Sequence, residues 1–379
     1  MKKAGVQPAK KWYETFSIRG YVQFRYNRLF ETNPLLRCEQ CDRSWGENGG
    51  FYLRRVRIIF SGNITDRVFF YIQPDFGSAA SSTGLNFGQL RDAYFDIALE
   101  KKKEFRVRLG QSKVPYGFEN LQSSQNRIPL DRNDAMNSAV VNERDLGAYL
   151  MWAPSKKREL FARLVSEGLK GSGDYGVVAF GFYNGQTANR PEMNNSLHVV
   201  GRVSWPFVFE SGQILEAGIQ AYTGRYVLTD TTKGVKLTGL SPEYLDRRVG
   251  ASFTLYPQPF GLQAEYNIGT GPQFNTVNNS IDQEDLSGGY ILVSYMFKPG
   301  KHVLIPFSRY HYYNGGKKHE LDARSYEVSE FELGAEWQIS KALEFVAMYT
   351  ISRRNFVDGK LRENDQQGRL LRLQAQINF

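Results

Sequence analysis

The sequence predicts an all-β protein: a transmembrane antiparallel up-and-down β-barrel of about sixteen strands, with short periplasmic turns and long external loops. Three observations point there. Apolar and polar residues alternate with period two along most of the chain, short and long connections alternate between the segments, and aromatic residues gather at one level. The last ten residues, LLRLQAQINF, show the first of these. Leu371, Leu373, Ala375, Ile377 and Phe379 alternate with Arg372, Gln374, Gln376 and Asn378. A strand that stops on an apolar aromatic suits lipid better than water, where a frayed Phe gains nothing.

Composition agrees. The chain has 379 residues, 41% apolar and 23% charged, and no stretch reaches the ~18 to 20 apolar residues that a membrane helix needs. A helical membrane protein is excluded. No linker or composition shift divides the chain, so residues 1–379 are read as one domain. The net charge of +9 is interleaved with apolar residues instead of forming a block, so nucleic acid is not an expected partner. The basic start, MKKAGVQPAKKW, has no apolar run after it and is not an intact signal peptide. Either a signal has been removed or the chain stays in the cytoplasm, and the strand pattern favours removal.

The strand-like segments fall at 14–28, 51–62, 67–76, 89–99, 105–114, 145–153, 174–184 and 195–205. The second half follows at 213–226, 245–256, 259–269, 288–297, 302–313, 326–339, 342–353 and 368–379. After even-numbered segments the connections are short turn chemistry, as in NITD, KKKE, PQP, KPGK and SK. After odd-numbered ones they are long and polar, as between Leu29 and Gly50, Val227 and Tyr244, and Gly269 and Ser287. Outer-membrane barrels have this asymmetry, which places both termini in the periplasm.

One even connection is long. In SKKRELFARLVSEGLKGSGD, Ser155 is a candidate N-cap, Leu160, Phe161, Leu164, Val165 and Leu169 recur at helical spacing, and GSG is a stop. A helix over 155–170 is expected at the periplasmic mouth, the alternative being a partner-binding element.

In the first strand Phe16, Ile18, Val22 and Phe24 alternate with Ser17, Arg19, Gln23 and Arg25; in the fourteenth, Phe331, Leu333, Ala335, Trp337 and Ile339 alternate with Glu330, Glu332, Glu336 and Gln338. One face suits lipid, and the other, with both signs of charge, suggests a hydrated lumen. Trp152, Trp205, Phe207, Tyr256, Phe297, Trp337 and Phe379, with Trp12, Tyr13 and Phe16, make the expected interfacial girdle.

The stretches GFYLRRVRIIFSGNI, QLRDAYFDI, VRLGQSKVPYGFE, NERDLGAYL and RRVGASFTLYPQPFGLQAEYN, with the terminal aromatic strand, carry a resemblance. The chain resembles the phosphate-selective porin O and P family, in the form common in Bacteroidetes, from the first strand to the C-terminus. That resemblance implies a sixteen-stranded, usually trimeric barrel that passes small anions by diffusion. It also implies that Arg54, Arg55, Asp92, Ser123, Ser124, Arg127 and Arg132 occupy places where family members bind phosphate. Lys113 is the one lysine near this loop, where phosphate-specific members carry more.

The residues themselves supply a candidate pathway. The connection 115–144 is long for a compact protein and therefore a functional candidate; it is expected to fold into the lumen and narrow it as a constriction loop, the alternative being an exposed surface flap. Arg19, Arg25, Arg55, Arg57, Arg106, Arg108 and Arg372 take the inward register as a basic wall suited to phosphate or carboxylate oxygens. Arg54 cannot face inward beside Arg55 in a regular strand, so it marks a bulge or the rim. Asp92, Asp96, Glu216, Glu265, Glu330, Glu332, Glu336 and Glu344 form an opposing acidic arc, giving a transverse field.

Cys38 and Cys41, in CEQC of the first external loop, read as a disulfide more simply than as a zinc site. Four histidines show no catalytic or metal spacing, so neither an enzyme nor a cofactor is expected. The function read is passive diffusion of small hydrophilic solutes across the bacterial outer membrane with anion preference, extending to phosphate if the loop residues converge. The expected surroundings are the lipid bilayer, small anions, two further copies of the chain and other outer-membrane proteins. The alternative is a barrel acting mainly as a structural or docking partner in a surface assembly.

Overall fold

The computed structural model describes residues 12–30, 49–77, 88–238 and 242–379. A one-turn helix, Trp12–Thr15, leads into β1 (Phe16–Leu29), followed by β2 (Gly50–Asn63), β3 (Val68–Asp75), β4 (Gln89–Ala98), β5 (Phe105–Lys113), β6 (Arg144–Trp152), β7 (Val178–Tyr183) and β8 (His198–Val208). Then come β9 (Ile214–Val227), β10 (Lys236–Leu237), β11 (Glu243–Leu255), β12 (Phe260–Asn275), β13 (Ser280–Tyr295), β14 (Val303–Gly316), β15 (Ser325–Gln338), β16 (Leu343–Val357) and β17 (Asp365–Asn378). All but β10 form the closed antiparallel barrel of sixteen strands that the alternation predicts. The two-residue β10 lies outside that order, parallel to Ser280 and Ile281 at the start of β13.

Closure is made by the chain's last residues. β17 pairs with β1 from Tyr21↔Asn378 to Leu29↔Leu370, and the Gly20 and Phe379 amides donate to each other's carbonyls at 2.8 and 3.0 Å. Gly20 is required at this seam: a Cβ there would stand 2.4 Å from the Arg57 carbonyl oxygen and 2.5 Å from Phe379 Cζ. Pairing every strand on both sides satisfies the backbone groups that lipid cannot.

The pleat sorts the side chains. Ile18, Phe24, Phe331, Leu333 and Trp337 are exposed on the outer wall, while Arg25, Glu330, Glu332 and Glu336 are buried within. Phe16, Trp205, Phe207, Phe297 and Phe379 are exposed girdle residues. Tyr256 is not one of them. The outward set of β11 is Arg247, Val249, Ala251, Phe253 and Leu255, so Tyr256 has the inward register; it is buried and its hydroxyl donates to Glu216 Oε2 at 2.6 Å.

Two connections depart from the sequence reading. The stretch 269–287, expected as a long polar loop, is mostly strand. β12 and β13 continue pairing as far as Asn275↔Ser280, because period-two polar residues can keep the ladder beyond the membrane. The connection after β6 holds α3 (Ser155–Ser166), shorter than the segment 155–170; Leu160, Phe161 and Leu164 are buried in one cluster with Leu169, Tyr256, Ile305 and Val346. A cavity of about 1020 Å³, lined by Gly201, Ala221, Val249, Ile268 and Ser287 among others, is a depression of the outer wall, apart from the lumen.

Candidate functional site: the lumen and its third loop

The segment between β5 and β6 lies inside the barrel. It carries α1 (Phe118–Leu121) and α2 (Asp134–Ala139), and Val114, Tyr116, Phe118, Ile128, Leu130, Ala135 and Met136 are all buried. Its backbone is held by the wall: Glu265 on β12 accepts from the amides of Phe118 at 2.9 Å and Glu119 at 2.5 Å. Within the loop Asn133 caps α2, its Oδ1 accepting from the Met136 amide at 3.0 Å. Arg248 of β11 donates to Ser138 Oγ at 2.7 Å.

Charge fixes the loop more firmly. Arg25 and Arg372 reach Asp131 at 2.7 and 2.8 Å, Arg54 at 3.1 Å and Arg55 at 4.0 Å. Burial alone would raise the Asp131 carboxyl, but these guanidiniums, Arg25 foremost, outweigh it and hold the carboxyl well below the usual carboxylate range. Asp134 binds Arg354 at 2.8 Å and also Lys317. Glu119 binds Arg309 at 2.7 Å, and Arg309 bridges onward to Glu332 at 2.6 Å. Glu143 takes Arg132 at 3.1 Å, Arg91 at 3.4 Å and Arg144.

These pairs revise two expectations. The inward charges are packed against the loop and α3 instead of lining an open hydrated lumen, since a buried charge must meet a partner. The acidic and basic arcs also interlock: Arg372 touches Glu332 at 3.3 Å, and Arg354 touches Glu330 at 2.7 Å. Both signs are therefore paired with each other inside the barrel, so the expected separation into two opposed arcs is incomplete.

The candidate pathway residues divide by what they touch. Arg54 sits in a bulge, because Gln23 pairs with Arg55 while the next residue, Phe24, pairs with Leu53. The extra residue turns both Arg54 and Arg55 toward Asp131. Arg57 is paired with Asp75 at 2.7 Å and donates to Ser124 Oγ at 3.0 Å. Arg108 binds Asp96 at 2.7 and 2.9 Å, Arg106 binds Asp174 at 2.7 Å, and Asp92 is taken by Arg144 at 2.9 Å. Lys113 donates to the carbonyls of Leu121 and Gln122 at 3.0 and 2.6 Å, so it anchors the loop. Ser123 is half-buried at the surface of the folded loop. Cys38 and Cys41 lie outside the described residues.

Two cations are less fully paired than the rest. Arg127 is buried, yet Nη1 and Nη2 meet no acceptor; burial lowers its guanidinium below the usual value. Nearby Arg55 has one short bond, to Gln23 Oε1 at 2.7 Å. Arg19 is exposed at the lower end of the inward face of β1. Sequence reasoning missed Asp131, Asp75, Glu119 and Asp134, although a loop that enters a basic wall must bring counter-charge. Asp134, His311 and Glu330 have potential ligand atoms within 4.8 Å of one another. Arg354 and Lys317 already occupy the carboxylates, so the cluster is an ion-pair network.

A closed sixteen-stranded barrel with its third long loop folded inside is the architecture of an outer-membrane porin. Three solved porin structures share the fold. The outer membrane channel DcaP of Acinetobacter baumannii has TM-score 0.60 at 11% identity, with 96% of this chain and 97% of that one covered. An anion-selective porin from Comamonas acidovorans has TM-score 0.58 at 10% identity, covering 96% and 99%. OmpF of Salmonella typhi, in complex with daunomycin, has TM-score 0.56 at 14% identity, covering 96% and 97%. No curated protein is significantly similar to the chain. The chain belongs to the phosphate-selective porin O and P family, whose family model matches residues 37–379.

Proposed function

We propose that this porin passes small hydrophilic solutes passively and prefers anions, with the selective step where the third loop meets β1 and β2. The carrying observation is Arg127, a buried guanidinium whose Nη1 and Nη2 meet no acceptor, with Arg55 nearby, bonded to Gln23 and only loosely paired with Asp131 at 4.0 Å, in a lumen whose other charges are mostly paired. Unpaired donors of this kind are completed by a passing oxyanion. The Ser124 hydroxyl lies on the same loop, held by Tyr21 Oη at 2.7 Å. The family name and the anion-selective fold neighbour agree with this reading. We further propose a homotrimer with the long loops outside and both termini periplasmic, the aromatic girdle near the termini marking the inner interface.

Reversal potentials across a potassium chloride gradient test the proposal. Chloride should be preferred, and the preference should fade with salt as the ~8 to 10 Å Debye length shrinks below the width of the passage. Arg127→Gln and Arg55→Gln should each reduce it, and inorganic phosphate should block the current. A cation-selective wild-type channel would overturn the reading.

A second reading has one observation in its favour. The loop and α3 fill much of the lumen, as expected of a barrel serving mainly as a structural subunit of a surface assembly. Stoichiometric companions after detergent extraction, with negligible conductance, would select it.

A further inference from the structure

Below the third loop, the inward faces of β1 to β5 carry a feature that the ion-pair network does not use. Tyr71 of β3 and Tyr94 of β4 are register partners, stacked with ring centroids 5.1 Å apart and planes 13° from parallel. Arg108 lies over the Tyr94 ring at 3.9 Å, and Tyr175, from the connection after α3, covers the same guanidinium at 5.3 Å. Asp96 holds Arg108 by two bonds, so that guanidinium is fixed in place and neutralised. The result is a rigid series of four planar groups. Its three tyrosines are half-buried in a lumen where most inward side chains are fully buried.

The same pleat row continues with hydroxyls. Tyr71 pairs with Ser61, and Ser61 with Ser17, whose hydroxyl oxygen is 3.0 Å from that of Ser61. One inward position further along β1 stands Arg19, exposed and without a carboxylate partner among the described residues. Aromatic face, hydroxyls and cation thus follow one another along adjacent strands, spaced ~4.8 Å apart. Such a row is complementary to a ring whose apolar C–H face would cover a tyrosine, whose hydroxyls would exchange hydrogen bonds with Ser17 and Ser61, and whose anionic substituent would meet Arg19.

We propose that this row is a binding subsite for ring-bearing anions, namely pyranose sugar acids and sugar phosphates, on the short-turn side of the constriction. The proposal rests on the anion reading above and adds the shape of the solute. A linear anion has the charge but no face for Tyr71. The ring is what the subsite recognises.

Glucuronate and gluconate make a matched test, since both are singly charged sugar acids of similar size and only the first holds a ring. Each is added to the wild-type channel in a planar bilayer while the chloride current is recorded. Glucuronate should half-block at a concentration about fivefold lower, the scale of one aromatic contact. Tyr71→Leu should abolish the difference while chloride conductance persists, and Tyr71→Phe, which keeps the ring, should preserve it. Equal block by the two acids in the wild type, or a difference that survives in Tyr71→Leu, would overturn the subsite. If Tyr71→Leu fails to fold, the wild-type comparison and Tyr71→Phe still decide. Chloride preference measured on the same channels separates the two readings: if it is present with equal block, only the subsite fails, and if it is absent, the anion reading fails.

Discussion

Arg25 Nη1 lies 2.7 Å from Asp131 Oδ2, a contact between the first strand and the tip of the third loop with both side chains buried. Three more guanidiniums, from Arg54, Arg55 and Arg372, share that carboxylate. Asp131 is therefore both the clamp of the loop and the counter-charge of the basic wall. Asp131→Asn should do two things. Chloride preference in reversal-potential measurements should rise, because the wall regains its charge. Stability should fall by about 3 to 5 kcal/mol, the scale for removing one partner of a buried pair, which appears as a lower temperature for loss of the folded band on a detergent gel.

The loop's anchors also set its response to acid. Asp131, Asp134 and Glu143 are all held below the usual carboxylate range: burial raises each, and the facing cations outweigh it. A carboxyl with a depressed folded value lends stability that is complete above its unfolded value, about 4, and is lost as pH falls through the folded value. These three ion-paired anchors should therefore hold undiminished from about pH 5 to 8, their own release being confined to stronger acid, and contribute no change in conductance over that range. Single-channel recordings across that range check it, and a step near neutrality would place the loop's control elsewhere.

Much of this architecture was legible in the sequence because period two is imposed residue by residue. A strand with lipid on one side and charge on the other cannot slip register without burying Arg25 or Glu332 in hydrocarbon. The inward loop was legible in its length alone. Its partners were not, because which carboxylate meets which guanidinium depends on how α1 and α2 are placed between strands far apart in sequence, as when Arg309 joins Glu119 to Glu332. Tyr256 was misread for a local reason: an aromatic at a turn matches the girdle by composition, while its register faces it inward. Arg54 could be narrowed to a bulge or the rim, and only the pairing of Gln23 with Arg55 and Phe24 with Leu53 decides between them.

The helix after β6 is expected to limit flow from below. Phe161 is buried in the apolar cluster that joins α3 to the lower lumen, and Gln122 of the third loop donates to the Lys170 carbonyl at 2.6 Å, tying the two obstructions together. Phe161→Ala should loosen α3 at a cost of about 3 to 5 kcal/mol. Single-channel conductance should rise. An unchanged conductance with a correctly folded barrel would mean that solutes pass α3 without meeting it.

The seam gives the last prediction. Gly20 and Phe379 exchange both backbone hydrogen bonds, and the Phe379 ring crosses the space where a Gly20 side chain would begin. Gly20→Val would put Cβ 2.4 Å from the Arg57 carbonyl oxygen and 2.5 Å from Phe379 Cζ, so relief requires both parting β1 from β2 and expelling the ring. The first relief exposes unpaired backbone groups to lipid, costing several kcal/mol each; the second breaks the closure with β17. Phe379→Ala removes the ring but leaves both backbone bonds possible. Gly20→Val should therefore abolish most of the heat-modifiable folded band, Phe379→Ala should reduce it less, and the double variant should not recover Gly20→Val, because the Arg57 carbonyl remains in the way. Recovery in the double variant would identify the ring, and not the backbone of β2, as the group that requires glycine at position 20.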